Sequence, residues 1–436
     1  MLMNNYKHLR KVLTKTIKTL SASSSLFTEK TTDFSRNRKL NFETVMMNII
    51  CMGTGSLKDE LLKLNDHTLS TPTTSAFVQA RSKIKVEAFK TLFDTFNKKT
   101  KVNKTYKGYR LLAIDGSELP IDNTIYDKET TVLKKGGYNK PYSAFHLTAA
   151  YDLLEHTYED LIIQGEAKMN ENDAFCQLSD SYQGPQAIFI ADRNFESYNG
   201  FEHVTQSNNK YLIRIKDIHS KTSMARTFGP YNEEEFDIEI HRILTRRSTN
   251  EIKENPQVYK HLPKNMRFDY MSKEDPYYMF NCRIVRFKIS DNTYECIITN
   301  LSKDKISVEE IKELYHMRWG IETSFREVKY AIGLNALHSK KRKLIKQEIY
   351  ARLLLYNFSQ RIISKVKISE KYKHKYEYQI NFTRAFHIIR TFLKKKGGSP
   401  PLDHLIAKEI LPIRPGRSNT RNLKVKSVVC FNYRYD

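Results

Sequence analysis

The sequence predicts an α/β protein in which a central sheet lies between helical ends, and three observations predict it. Apolar residues recur at helical spacing up to about residue 100, short strand-like runs replace them from about residue 106, and the helical period returns from residue 307. At 436 residues the chain is long enough for several units and a sizeable core.

The elements follow in order. Leu9, Val12, Leu13, Ile17 and Leu20 predict a first helix, and Phe42, Val45, Met46 and Ile49 a second, stopped by Gly53 and Gly55. Ser56 with Asp59 reads as the capping box of a short helix over 57–64; Thr71-Pro72 opens a further one carrying Phe77, Val78, Ile84 and Phe89. Arg36, Arg38, Lys39, Arg81, Lys83 and Lys85, scattered among these helices, suit either a DNA-docking module or a solvated surface. Residues 109–114, 144–154 and 158–163 then read as three strands. A helical stretch over 172–182, the apolar run AIFIA, a second helical stretch over 198–205 and the strand YLIRIK follow. Three strands, helix, strand, helix, strand is the element order of the ribonuclease-H-like fold.

From 217 to 303 the pattern is β again: FDIEIHRIL alternates, and CRIVRFKI and YECIITNL flank the hairpin turn Ser290-Asp291-Asn292-Thr293. The expected division is a helical N-terminal DNA-binding domain over 1–103, a ribonuclease-H-like core over 104–216 and 304–366, a β-rich insertion over 217–303, and a helical C-terminal region with a basic tail over 367–436. KKKGGSPP breaks that last region, and Arg414, Arg417, Arg421, Lys424 and Lys426 mark the tail.

Lys and Arg number 73 against 49 Asp and Glu, a formal charge of +24, which points to a polyanionic partner. No RNP-type aromatic motif or GXXG loop directs that reading to RNA. Cys51, Cys176, Cys282, Cys296 and Cys430 are scattered without zinc-ligand spacing, and no run of 18 apolar residues occurs. The expected setting is the cytoplasm, with no membrane partner.

Asp115 follows RLLAI and Asp192 follows AIFIA, so each sits where an apolar strand ends or bends. Each suits a turn as well as a site, but two such strands can place two carboxylates side by side at a sheet edge. Oxygen ligands of that kind suit Mg²⁺ or Mn²⁺. The stretch 307–334 supplies a third group. At 100° per residue, with Tyr315 at 0°, Arg318 falls at about 300°, Glu322 at about 340° and Lys329 at about 320°, one polar stripe. Leu314, Met317, Ile321, Phe325, Val328 and Ile332 form the neighbouring apolar band, and Glu327, at about 120°, points away.

Tyr315, Arg318, Glu322 and Lys329, written Y-x₂-R-x₃-E-x₆-K, resemble the YREK signature of the insertion-sequence DDE transposases in the group founded by insertion sequence four. IDGS at 114–117 and IADRNF at 190–195 resemble that group's two Asp motifs, and a long β insertion before the Glu is a further similarity. The resemblance implies that Asp115, Asp192 and Glu322 are catalytic and hold two Mg²⁺ or Mn²⁺ ions for nicking and strand transfer. It implies that Tyr315, Arg318 and Lys329 contact the DNA phosphates, and that the partners are double-stranded transposon ends and target, bound by a homodimer. Some relatives hold a flipped base with a Trp from the insertion, whereas the single Trp of this chain, Trp319, lies in the signature helix. Tyr231, Tyr270, Tyr277 and Tyr278 are stacking candidates in its place, and each suits an ordinary surface or core tyrosine better. Two other readings of the residues remain open: a ribonuclease-H-fold nuclease without strand transfer, and a DNA-binding relative without catalysis.

Overall fold

The computed structural model describes residues 2–36, 38–133, 141–369, 376–394 and 401–413. The expected basic tail and Cys430 lie outside them. Five helices open the chain: α1 (Leu2–Ala22), α2 (Phe42–Cys51), α3 (Leu57–Leu64), α4 (Thr74–Ser82) and α5 (Val86–Thr100). Asn41, Ser56 and Thr73 start α2, α3 and α4, each accepting a backbone N–H three residues on and so satisfying a donor the helix leaves unpaired. The cap of α4 is therefore Thr73 rather than Thr71, and the helix expected to run from Phe77 to Phe89 is two, with buried Ile84 between them.

Arg81 is not a docking residue. Its side chain is 1% exposed, pairs with Glu348 at 2.8 Å and donates to Gln347 at 3.0 Å, so it fastens α4 to the long helix near the other end of the chain.

The sheet is built from β1 (Arg110–Ile121), β2 (Thr131–Val132), β3 (Tyr142–Asp152), β4 (Thr157–Gly165), β5 (Ala187–Ala191), β6 (Lys210–Ile215), β7 (Phe236–Thr245), β8 (Tyr259–His261), β9 (Tyr277–Ser290) and β10 (Thr293–Thr299). Helix α6 (Glu171–Ser181) links β4 to β5, and α7 (Tyr198–Gln206) links β5 to β6. β1 pairs antiparallel with β3 and parallel with β5, which pairs parallel with β6. The predicted succession of three strands, helix, strand, helix, strand is present, with the two-residue β2 added between the first and second strands.

The strand period of two decides what each face buries. Leu111, Ala113, Ile188 and Ile190 join one core cluster, while Leu112, Ile114, Ala187, Phe189 and Ala191 join another beneath α6 and α7. Both faces are covered, which is why β5 reads as an unbroken apolar run.

The strands of the predicted insertion continue this same sheet. β10 pairs with β6 from Cys296↔Ile215 to Thr299↔Leu212, β9 pairs with β10 and β7 with β9. The expected hairpin turn closes with Ser290 opposite Thr293, and Asn292 takes the left-handed conformation at φ 59° that Asn tolerates.

After α8 (Asn250–Glu254), the C-terminal helices are α9 (Val308–Met317), α10 (Trp319–Arg326), α11 (Arg342–Ile363), α12 (Phe382–Lys394) and α13 (Leu402–Ala407). The predicted single helix over 307–334 is broken. Ser307 and Glu310 form a capping box at its start. Arg318 N–H and Ile321 N–H then bond only three residues back, and Glu327–Ala331 forms a π turn in which Ile332 N–H reaches Glu327 O. Met317, placed in the apolar band by uniform rotation, is exposed. Among the described residues no helix is long and apolar enough to cross a membrane.

Candidate active site

Asp115 lies in the middle of β1, not at its end, because pairing with β3 continues to Ile121↔Ser143. What ends at this point is the parallel pairing: Ile114↔Ala191 is its last pair, so the next residues along are Asp115 and Asp192. Asp192 keeps an extended backbone, and its carboxylate accepts Asn194 N–H at 2.8 Å. By the alternation of the strands Asp115 belongs to the face of Leu111 and Ala113, whose cluster includes Ile321 and Phe325 of α10. That helix carries Glu322 over the same face.

The Arg318 guanidinium lies between Asp115, at 3.9 Å, and Glu322, at 3.0 Å. It is buried, rests near the rings of Tyr315 and Trp319 at 5.7 and 5.2 Å, and its Nε has no hydrogen-bond partner among the described residues. Burial pushes the Asp115 carboxyl up to about 7; Arg318 opposes that rise, and the neighbouring Asp192 and Glu322 add to it. Tyr315 is buried, which raises its phenol.

Lys329 does not share the Arg318 cluster. Coming from the π turn, its ammonium donates to Ser117 Oγ at 2.8 Å and to the Glu118 carbonyl at 2.5 Å, two and three residues past Asp115 on β1. Burial pushes its pKa down, with Glu118 opposing. Glu327 is not solvated: it accepts the Tyr356 hydroxyl at 2.9 Å, and burial raises its carboxyl to about 7.

Three carboxylates are the donor chemistry that a hard divalent cation takes. The groups are neighbours without converging: among the described residues no three His, Cys, Asp or Glu side chains stand within common reach of one ion. Arg318 is the cation between two of them.

On the opposite face, His146 is flanked by Glu166 at 3.1 Å and Glu171 at 2.9 Å; burial opposes its charge, but these hydrogen bonds outweigh it and raise the pKa to about 9. This trio was not read from the sequence. Its signal was Gly116, since a Cβ there would stand 2.1 Å from Glu171 Oε1 and 2.4 Å from His146 Nε2. Of the stacking candidates, Tyr231 is stacked on Phe236 and Tyr270 and Tyr278 pack with Phe268, whereas Tyr277 is exposed beside Arg247.

The fold is a large mixed sheet, and Asp115, Asp192 and the Arg318–Glu322 pair lie where its parallel pairing ends. The family model described as "Transposase DDE domain" matches residues 106–358, more than half of the chain, and the chain belongs to that family. It is 31% identical over 94 residues to the transposase InsG of insertion sequence element IS4 of Escherichia coli K12, covering 21% of each chain. It is 38% identical over 58 residues to the transposase of insertion sequence element IS421 of Escherichia coli, covering 13% of this chain and 16% of that one. The chain thus spans about a fifth or less of the length of these relatives. A cryo-EM structure of the piggyBac transposase synaptic complex with hairpin DNA aligns over 95% of this chain and 87% of its own, at 11% identity and a TM-score of 0.46.

Proposed function

We propose that the protein is a cut-and-paste DNA transposase of an insertion sequence: it binds the terminal inverted repeats, excises the element by phosphodiester hydrolysis and transesterification, and joins it to target DNA. The observation that carries this reading is the register that sets Asp115 beside Asp192 on the face where α10 brings Glu322, within a chain of the transposase DDE family. Asp115, Asp192 and Glu322 would hold two Mg²⁺ or Mn²⁺ ions, which when bound supply activation of the attacking water or 3′-hydroxyl and stabilisation of the leaving oxygen. Arg318 holds Asp115 and Glu322 in the free protein and would exchange that pairing for a DNA phosphate, which its planar fork suits. Lys329 would likewise exchange Ser117 and Glu118 for a phosphate, and Tyr315 would line the same strand. The division into an N-terminal DNA-binding unit over 1–103, a split core, an insertion over 217–303 and a C-terminal region over 367–436 belongs to this reading, as does a homodimer on DNA.

The test uses Asp115→Asn, Asp192→Asn and Glu322→Gln with oligonucleotides carrying the element's ends. Each variant should lose Mg²⁺-dependent cleavage and strand transfer while end binding persists. Full cleavage by any one variant removes that residue from the triad, and wild-type cleavage without joining of a 3′-hydroxyl end makes the protein a nuclease instead.

A further inference from the structure

The polar face of α12 is rich in cations, with Thr383 and Thr391 among them. Phe382, Ala385, Phe386, Ile389, Phe392 and Leu393 bury one side of the helix. Arg384, His387, Arg390 and Lys394 occupy the other, within an arc of about 120° and along about 15 Å of axis. The helix has no acidic residue, and the sequence runs on through Lys395 and Lys396.

The neighbouring elements add to this charge. Arg10 of α1 lies over the Phe392 ring at 5.3 Å, and Lys63 of α3 stands 3.8 Å from Glu60. Glu60 also reaches Lys394, at 3.9 Å, but its carboxylate already accepts Gly53 N–H at 2.6 Å and Gly55 N–H at 3.2 Å. An added Cβ on Gly53 would come 2.4 Å from the Arg390 guanidinium, so the stripe closes directly over this loop. The cations press on one another: burial lowers the pKa of His387, with Arg390 and Arg384 lowering it further, and burial lowers that of Lys394, with Arg390 adding and Glu60 opposing. A surface that keeps this repulsion in the free protein gains when a polyanion covers it.

We propose that the Arg384, His387, Arg390 and Lys394 face of α12, with Arg10 and Lys63 beside it, docks the sugar-phosphate backbone of duplex DNA and uses none of the candidate active-site residues. The inference rests on reading the chain as a DNA transposase. Spacing supports duplex over a small anion, because cations spread over about 15 Å match several consecutive phosphates rather than one.

The test is a fluorescence-anisotropy titration of a labelled duplex across a range of salt. It compares wild type, R384Q/R390Q/K394Q, and the equally discharged control K253Q/K264Q/K273Q, whose positions are exposed in the β-rich region. At about −0.9 in log K per log salt for each phosphate contact, the α12 triple should flatten the slope by roughly 2 to 3 and weaken binding at least about tenfold, with the control near wild type. If the triple fails to fold, R384E at an exposed position should flatten the slope by about 1 or more. A wild-type protein that binds no duplex at any salt defeats the transposase reading itself. Duplex binding that α12 variants leave unchanged, or that both triples weaken equally, overturns this inference alone, and so does an α12 loss confined to anionic vesicles.

Discussion

Replacing Glu327 by Gln should stabilise the protein, and increasingly so as pH rises. The carboxyl is held at about 7 against an ordinary value of 4.5, chiefly by burial and despite the Tyr356 hydroxyl it accepts. Such a group favours folding while protonated, so its stabilisation is complete below about 4.5 and is lost as pH rises through about 7. At about 1.4 kcal/mol per tenfold, the full difference is about 3 kcal/mol, and partial access of water reduces it to roughly 1–3 kcal/mol. Gln keeps an oxygen for Tyr356 and has no charge to bury. Urea melts of both proteins from pH 5 to pH 8.5 should give similar stabilities at the acid end and a widening advantage for Glu327→Gln above pH 6. Groups titrating alike in both proteins cancel. A constant difference across that range would refute the argument, and since Glu327 bonds Tyr356 rather than a candidate site residue, cleavage should stay within a few-fold of wild type.

Glu348 should behave with the opposite sign: although burial raises it, Arg81, His338 and Arg352 hold it down at about 2, so its stabilisation is present above 4.5 and fades as pH falls toward 2. Glu348→Gln should cost about 3–5 kcal/mol at pH 7 by leaving Arg81 unpaired, with the gap to wild type narrowing in acid; an unchanged melting temperature at pH 7 would contradict this. Gly116→Ala should part His146 from Glu171 and lower stability by about 1–3 kcal/mol in denaturant titrations, and a wild-type midpoint would show that the two side chains yield freely. Arg318→Ala or Lys329→Ala should weaken end binding or strand transfer about ten- to a hundredfold, from a phosphate contact of roughly 1.5–3 kcal/mol; effects no larger than that of Glu327→Gln would return both residues to a structural role.

Where local pattern decides, the sequence was readable. AIFIA read as an apolar strand, and the helical stretch read from 307 does start there, at the Ser307–Glu310 capping box. That Asp115 and Asp192 follow directly on the last parallel pair agrees with two apolar runs each followed by Asp, whereas the continuation of β1 past Asp115 depends on β3 and had no local signal. The break at Arg318 was not legible, because no Pro lies there and the residue is drawn toward Asp115, some two hundred positions away. Lys329 was placed by uniform helical rotation, which the π turn does not follow. Arg81 looked like any surface cation until α11 brought Glu348 to it.

The pairing of β10 with β6 has a consequence for anyone trimming the chain. Excising 217–303 as though it were a detachable module would strip β6 of its outer neighbour and leave the edge of Leu212 and Ile213 bare, with free N–H and C=O groups along an apolar strand. Strands exposed in that way recruit other strands. A minimal core cut at those boundaries should therefore come out of the cell as aggregate, whereas removal of a hairpin tip around Asp291 and Asn292 leaves every strand its partner.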